Sequence, residues 1–206
     1  MKLLMLDRDG VINVDSDQYI KSPLEWKPVK GSIEAIARLT QAGWRIVLAT
    51  NQSGIARGLF DMSTLNAIHE VMHKAVIQAG GRIEAIFFCP HAADSNCECR
   101  KPKPGMLLEI EKRLNIPLAG VPFVGDSLKD LQAAAAAGAR PVLVLTGKGG
   151  KTRDAGGLPE GTEVHADLAA FAAQLLETRA ACWYCVPRFL PPRWSLSLRR
   201  TQYYRY

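Results

Sequence analysis

Two aspartates stand one residue apart in the run Asp7-Arg8-Asp9-Gly10-Val11, which closes the apolar stretch Lys2 to Leu6. Carboxylates this close repel one another and persist where a cation offsets them. A hard divalent ion suits the purpose, since Mg²⁺ takes one or two carboxylates and completes its shell with water and substrate phosphate oxygens. A third carboxylate, Asp126, sits in Gly125-Asp126-Ser127-Leu128-Lys129-Asp130. Thr50 opens Thr50-Asn51-Gln52-Ser53-Gly54, a turn suited to presenting a hydroxyl and backbone N–H groups to a phosphate. Arg100 and Lys101 add positive charge for the equatorial oxygens of a transferring phosphoryl group. This set points to phosphoryl transfer to a carboxylate nucleophile. The bland alternative is that Asp7 and Asp9 merely cap a turn.

A second cluster is softer. Cys89, His91, Cys97 and Cys99 offer three thiolates and one imidazole within a short stretch, a complete tetrahedral set for Zn²⁺. With four protein ligands no position stays open, so a structural site is expected; the alternative is a surface loop of reduced, unliganded cysteines. The C-x-C spacing in a chain without an apolar leader favours metal over disulfides. The loop runs straight into Arg100-Lys101-Pro102, so a zinc clamp would fix irregular backbone beside the phosphate-binding cations.

These residues need a scaffold that brings them together. Apolar runs alternate with helical patterns, which predicts an α/β fold with a mostly parallel, Rossmann-like sheet and helices on both faces. Strands are predicted at Lys2–Leu6, Arg45–Ala49, Ile83–Phe88, Pro122–Val124 and Pro141–Leu145. Helices are predicted at Ser32–Ala42, Ser63–Ala79, Pro104–Leu114, Leu128–Ala137 and Asp167–Glu177, the last capped by Asp167. Each polar cluster follows a strand, and in open parallel sheets the ligand crevice lies at the carboxyl ends of the strands. The assigned elements nearly fill the intervals from Asp9 to Thr50 and from Thr50 to Lys101, so no cap domain is expected and loops must control access.

Charge and composition narrow the partners. Of the 26 Lys and Arg, six lie between Thr178 and Tyr206, where there is no acidic residue; the remaining 20 balance the 20 Asp and Glu of the body. The basic balance therefore belongs to a basic, aromatic tail over residues 179–206, expected to be poorly ordered, and the domain is expected to span 1–178. No nucleic-acid partner is expected. No apolar run reaches the ~20 residues of a membrane helix, so no membrane partner is expected either, and a cytoplasmic monomer is the working reading. Three further patterns are set aside. Gly147-Lys148-Gly149-Gly150-Lys151-Thr152 lacks the first glycine of a P-loop and reads as a glycine-rich loop; His69 and His73 read as helix-surface residues; Cys182 and Cys185 lack a second pair.

The phosphate-directed elements resemble the motifs of the haloacid dehalogenase-like phosphatase superfamily. Asp7-x-Asp9-Gly10-Val11 matches the first motif, Thr50 the second, Lys101 the third, and Gly125-Asp126 with Asp130 the fourth. The resemblance implies that Asp7 forms an aspartyl-phosphate and that Asp9 acts as general acid and then base. It further implies that Mg²⁺ is held by Asp7, the Asp9 backbone carbonyl and Asp126, with Asp130 behind them. The zinc loop, together with Thr50–Gly54 and Cys99-Arg100-Lys101-Pro102, is similar to the zinc-containing branch of heptose bisphosphate and histidinol-phosphate phosphatases. That branch implies a phosphorylated sugar as substrate, losing its 7-phosphate on the way to a surface glycan such as lipopolysaccharide. Expected substrate contacts are Arg8, Asp15, Gln18, Asn51, Gln52, Ser53, Arg57, Arg100 and Ser127. Arg57 and Arg100 favour a bisphosphate over histidinol phosphate. A DNA 3′-phosphatase and a zinc-stabilised binding module without activity are the remaining readings.

Overall fold

A computed structural model describes residues 2–180. Its core is one six-stranded sheet in the order β3-β2-β1-β4-β5-β6. The strands are β1 (Leu3–Leu6), β2 (Arg45–Asn51), β3 (Ala85–Cys89), β4 (Pro122–Gly125), β5 (Arg140–Val144) and β6 (Glu163–His165), and every pairing is parallel. Every residue of β1 is buried, as expected for a central parallel strand covered on both faces.

The helices divide between the two faces. Helices α1 (Ser32–Gln41), α2 (Met62–Gln78) and α6 (Leu168–Ala180) pack on one, with Ile36, Leu39, Ile68, Met72 and Phe171 meeting Leu4, Leu6, Ile46 and Leu48. Helices α3 (Gly105–Leu114) and α4 (Leu128–Ala136) cover the other, where Met106, Leu107, Ile110 and Ala133 meet Leu3, Met5, Val47 and Phe123. A short α5 (Gly149–Ala155) and a 3-10 turn (Pro23–Glu25) complete the set. Local chemistry starts and stops these elements. Asp61 accepts from the Thr64 backbone N–H to cap α2, Asp167 does the same for α6 through Ala170, and Asn115 takes the left-handed conformation (φ 53°) that ends α3.

The expected α/β class, the parallel sheet and the two helical layers are all present, and no cap domain is inserted among the described residues. Three elements had not been predicted: β6, α5 and the 3-10 turn. Helix α5 occupies the stretch read above as a glycine-rich loop. Helix α6 continues past the expected domain end, and the tail beyond Ala180, with Cys182 and Cys185, lies outside the described residues. No helix among the described residues is long and apolar enough to cross a membrane.

The site follows from the strand order. The chain leaves β1 toward β2 and β3, then returns to the other side of β1 with β4. Neighbouring connections therefore diverge where β1 meets β4, opening a crevice at their carboxyl ends. Asp7 follows β1 and Asp126 follows β4, so both stand at its rim.

The packing yields a stability contrast. Leu39 is fully buried between α1 and the sheet, whereas Ile77 on α2 is 63% exposed. Leu39→Ala should destabilise by about 2–5 kcal/mol through lost burial and a residual cavity, and Ile77→Ala should stay within about 0.5 kcal/mol; urea midpoints of the two variants check this.

Candidate active site

At the carboxyl end of β1 the chain turns through Asp7-Arg8-Asp9-Gly10. Gly10 has φ 79°, and a Cβ there would overlap the carboxylate of Asp126. Gly147 (φ 56°) crowds the same carboxylate, so two glycines form the cradle in which Asp126 sits. The Lys148 backbone N–H donates to Asp126 Oδ2 at 2.8 Å.

Lys101 occupies the centre. Its side chain is 2% exposed, and its ammonium lies 2.9 Å from Asp7 Oδ1, 2.6 Å from Asp130 Oδ1 and 2.8 Å from the Ala49 carbonyl. All three N–H groups thus have partners, which is what a buried ammonium requires. Asp130 in turn accepts at Oδ2 from the backbone N–H and hydroxyl of Ser127, closing the first turn of α4. Asn51 locks the backbone of Lys101 from both sides, donating to its carbonyl and accepting from its N–H.

Asp7, Asp126 and Asp130 offer carboxylate oxygens within 4.8 Å of one another. Burial pushes Asp7 up to about 7; Lys101 pulls it down, while Asp130 and Asp9 push it further up. Burial, then Asp7 and Asp130, raise Asp126 to about 8 against the Lys148 N–H. Carboxylates held this far from their ordinary values define a site that a divalent cation would relieve, and the oxygen-only donor set fits Mg²⁺. Asp130 is the least free of the three to serve as a ligand, because Lys101 and Ser127 already engage its oxygens.

Asp9 is treated differently. Its carboxylate accepts from Arg8 Nε at 3.1 Å and Nη2 at 2.9 Å, from Asn13 Nδ2 at 2.9 Å and from Gln52 Nε2 at 2.9 Å. Burial alone would raise its pKa, but the charge of Arg8 and these hydrogen bonds outweigh it and hold Asp9 below the usual carboxylate range. Gln52 also donates to the Thr50 hydroxyl at 2.9 Å, tying the second strand end to the first.

These residues line a cleft of about 530 Å³, joined by Asp15, Tyr19, Ser53, Arg57, Arg100, Ser127 and Lys148. Of the expected contacts only Gln18 lies outside this lining, while Arg8, Asn51 and Gln52 line it but spend their polar groups on neighbouring residues. Gln18 is exposed and does not line the cleft. Arg8 is 1% exposed and turned inward, its guanidinium engaged by Asp9, Gln52 and His69. Asn51 and Gln52 reach the cleft, yet their amides serve Lys101, Asp9 and Thr50. His69, read as a helix-surface residue, is buried against Arg8. Its position could have revealed this, because it follows Leu65 by four residues and precedes Met72 by three, on the buried stripe of α2. Lys148 was missed as well. Its ammonium pairs with Asp15 at 2.9 Å and Asp17 at 3.3 Å across the cleft mouth. The signal was present: Lys148 follows strand β5 just as Asp7, Thr50 and Asp126 follow theirs.

The second cluster assembles as the spacing suggested. Cys89, His91, Cys97 and Cys99 place their donor atoms within 4.8 Å of one another. Cys89 Sγ lies 3.7 Å from Cys97 Sγ and 3.5 Å from His91 Nδ1, and Cys99 Sγ lies 3.4 Å from that nitrogen. Tetrahedral Zn²⁺ with Zn–S bonds of ~2.3 Å places sulfurs roughly 3.8 Å apart, so this cluster could hold zinc. Arg100 donates to the His91 carbonyl, joining the loop to the cleft wall.

Known proteins resemble this chain in sequence and fold. A family model for HAD-hydrolase-like proteins matches residues 98–171. A D-glycero-β-D-manno-heptose-1,7-bisphosphate 7-phosphatase of Bordetella bronchiseptica is 64% identical over 177 residues, covering 86% of this chain and 99% of that protein. The same enzyme of Pseudomonas putida is 56% identical, covering 85% of this chain and all of its own length. This chain belongs to the heptose-bisphosphate phosphatase family. Among solved structures, the Bordetella phosphatase complexed with magnesium and phosphate superposes with a TM-score of 0.86, over 86% of this chain and 99% of that one. Family membership accounts for the α/β frame.

Two outcomes follow from the site. In metal-free protein, Asp7 and Asp126 have folded pKa values of about 7 and about 8, above the ~3.9 of an unfolded aspartate. Their contribution to stability is full below pH ~4 and gone once pH passes 7–8. His69, lowered to about 4, works in the opposite sense but only up to its unfolded value of ~6.5. Above pH 6.5 the metal-free protein should therefore lose stability. Apparent Mg²⁺ affinity should tighten about tenfold or more from pH 6.5 to 8.5, as the metal displaces protons; thermal shift titrations at the two values read both effects. The purified protein should also carry one zinc per chain by elemental analysis, and Cys99→Ser should lose most of it while lowering the unfolding temperature.

Proposed function

We propose that this chain is a Mg²⁺-dependent phosphatase that removes the 7-phosphate of D-glycero-β-D-manno-heptose 1,7-bisphosphate through an aspartyl-phosphate on Asp7. One observation carries the reaction: Asp7 Oδ1 stands at the end of β1, held by the Lys101 ammonium, with Asp9 two residues on and Asp126 facing it across the crevice. The substrate rests on the relatives, whose names specify this heptose and this phosphate.

The residues divide the work. Asp7 attacks phosphorus, the bond to the leaving oxygen breaks, and the phosphoryl group is carried on the Asp7 carboxylate. Mg²⁺, held by Asp7, Asp126 and the Asp9 backbone carbonyl, would supply positive charge to the phosphate and keep Asp7 ionised. The Thr50 hydroxyl and free N–H groups of the Thr50–Gly54 turn receive the equatorial oxygens, and Lys101 acts on them through its charge. Asp9 gives a proton to the departing alkoxide and takes one from the water that cleaves the acyl phosphate. Its depressed pKa suits the second task. For the first, a dianionic phosphate arriving beside it favours protonation, as any like charge does.

The distal phosphate needs cations that are not already paired with carboxylates. Arg57 lies over the Tyr19 ring, 5.9 Å to the centroid, with no carboxylate partner among the described residues, and Arg100 lines the same cleft. These two are assigned to the second phosphate, and Asp15 and Ser53 to the sugar. The reading extends to a cytoplasmic monomer whose catalytic domain spans residues 1–178 and whose substrate excludes nucleic acid.

The test is Mg²⁺-dependent phosphate release from both anomers of the heptose bisphosphate, from histidinol phosphate and from a 3′-phosphorylated oligonucleotide. The β-anomer should be the preferred substrate by kcat/KM. Asp7→Asn should lower turnover by about 10³-fold or more, since it removes the nucleophile, with the fold (by circular dichroism) and zinc content retained. Turnover by that variant near the wild-type rate, or preference for another substrate, would refute the assignment.

A further inference from the structure

One buried titratable side chain touches the framework of the site without a part in the reaction described above. His69 on α2 is 8% exposed, and its Nε2 lies 3.3 Å from Arg8 Nη1. A guanidinium offers only N–H donors, so the imidazole nitrogen facing it is the acceptor. His69 is therefore the neutral ring that carries its proton on Nδ1. Burial, followed by the charges of Arg8 and His73, favours the same neutral form, with Asp9 opposing weakly.

Arg8 uses its other N–H groups on the reaction side. Nε donates to Asp9 Oδ1 at 3.1 Å, and Nη2 donates to Asp9 Oδ2 at 2.9 Å and to Gln52 Oε1 at 3.1 Å. These contacts occupy one edge of the guanidinium, and His69 takes the opposite end. With both held, the plane of the guanidinium is fixed, and so is the carboxylate it grips. Without His69, a buried donor would lose its acceptor and the guanidinium could turn to find another.

We propose that His69 is a positioning residue for the Asp9 acid–base step, orienting Asp9 through the hydrogen bond it accepts from Arg8. The inference rests on the phosphatase reading above. In the step concerned, the P–O bond breaks with its electron pair staying on the leaving oxygen. That oxygen takes the proton from the Asp9 carboxyl and leaves Asp9 as a carboxylate. A misaligned Asp9 slows this transfer only where the leaving oxygen needs the proton. An alkoxide such as a sugar hydroxyl needs it; a nitrophenolate does not.

The test compares kcat/KM on the heptose bisphosphate and on p-nitrophenyl phosphate, for wild type, His69→Leu and His69→Gln. His69→Leu should lose about tenfold on the sugar ester, a fraction of the ~10²–10⁴ that general acid catalysis supplies, and stay within about twofold on the nitrophenyl ester. His69→Gln, which keeps an acceptor, should stay within about threefold on both. Equal losses on the two esters, no loss on either, or a glutamine variant as impaired as leucine would overturn the proposal. Should the leucine variant fail to fold, long-range ¹⁵N–¹H NMR of the wild-type imidazole decides independently. The expected form at pH 7 is neutral with the proton on Nδ1, and a proton on Nε2 would overturn it. Failure of the phosphatase reading itself would look different: no Mg²⁺-dependent turnover by wild type on either ester.

Discussion

The structure depends on one buried ammonium. Lys101 sits between Asp7, Asp130 and the Ala49 carbonyl, and each partner belongs to a different part of the fold. Asp7 ends β1, Ala49 lies in β2, Asp130 is on the first turn of α4, and Lys101 itself follows the cysteine-rich loop. Removing a partner from such a cluster leaves an uncompensated buried charge, which costs about 3–5 kcal/mol in comparable sites. The cluster holds because its supports are rigid: Asn51 clamps the Lys101 backbone, Ser127 anchors Asp130, and the Cys89–Cys99 loop is built to be fixed by a metal. That explains why a cluster that could hold a structural metal lies beside an oxygen-rich one. It sets the path of the backbone that delivers the cation.

Around that ammonium the fold sorts three carboxylates by environment rather than by residue type. Asp7 and Asp126 lie deep among other acids, and burial drives both upward. Asp9 is only partly buried and moves the other way, because Arg8, Asn13 and Gln52 supply charge and hydrogen bonds. Pairs of acids pushed apart in this manner divide into nucleophile and acid–base partner. The shortage of positive charge around Asp7 and Asp126 is the complement of a divalent ion, and the surplus around Asp9 keeps that residue apart from the carboxylates that would hold one.

Much of this was legible in the sequence because the chemistry obeys the strand grammar. Asp7, Thr50 and Asp126 each follow an apolar run, and parallel strands bring their carboxyl ends to one crevice. The four zinc-type ligands lie close enough in sequence to need little tertiary information. What stayed hidden was of another kind. Strand β6 has three residues, and α5 begins with two glycines, so neither carries enough periodicity or helix propensity to stand out. Side-chain direction was the other loss. Arg8 sits between two site aspartates but turns into the core, and Asn51 follows Thr50 yet faces backbone. Sequence spacing places a residue at a site, while only packing decides whether its polar end meets the ligand or holds a neighbour.

The central claim is that the phosphoryl group passes through the Asp7 carboxylate. Acid-quenching the enzyme during turnover, reducing with borohydride and mapping peptides by mass spectrometry tests it directly, since reduction converts an acyl phosphate on aspartate into homoserine. The account requires homoserine at position 7, dependent on both Mg²⁺ and substrate, with Asp9, Asp126 and Asp130 unchanged. Reduction at one of those aspartates instead, or active turnover that leaves no trapped acyl phosphate under conditions where it should accumulate, would contradict it.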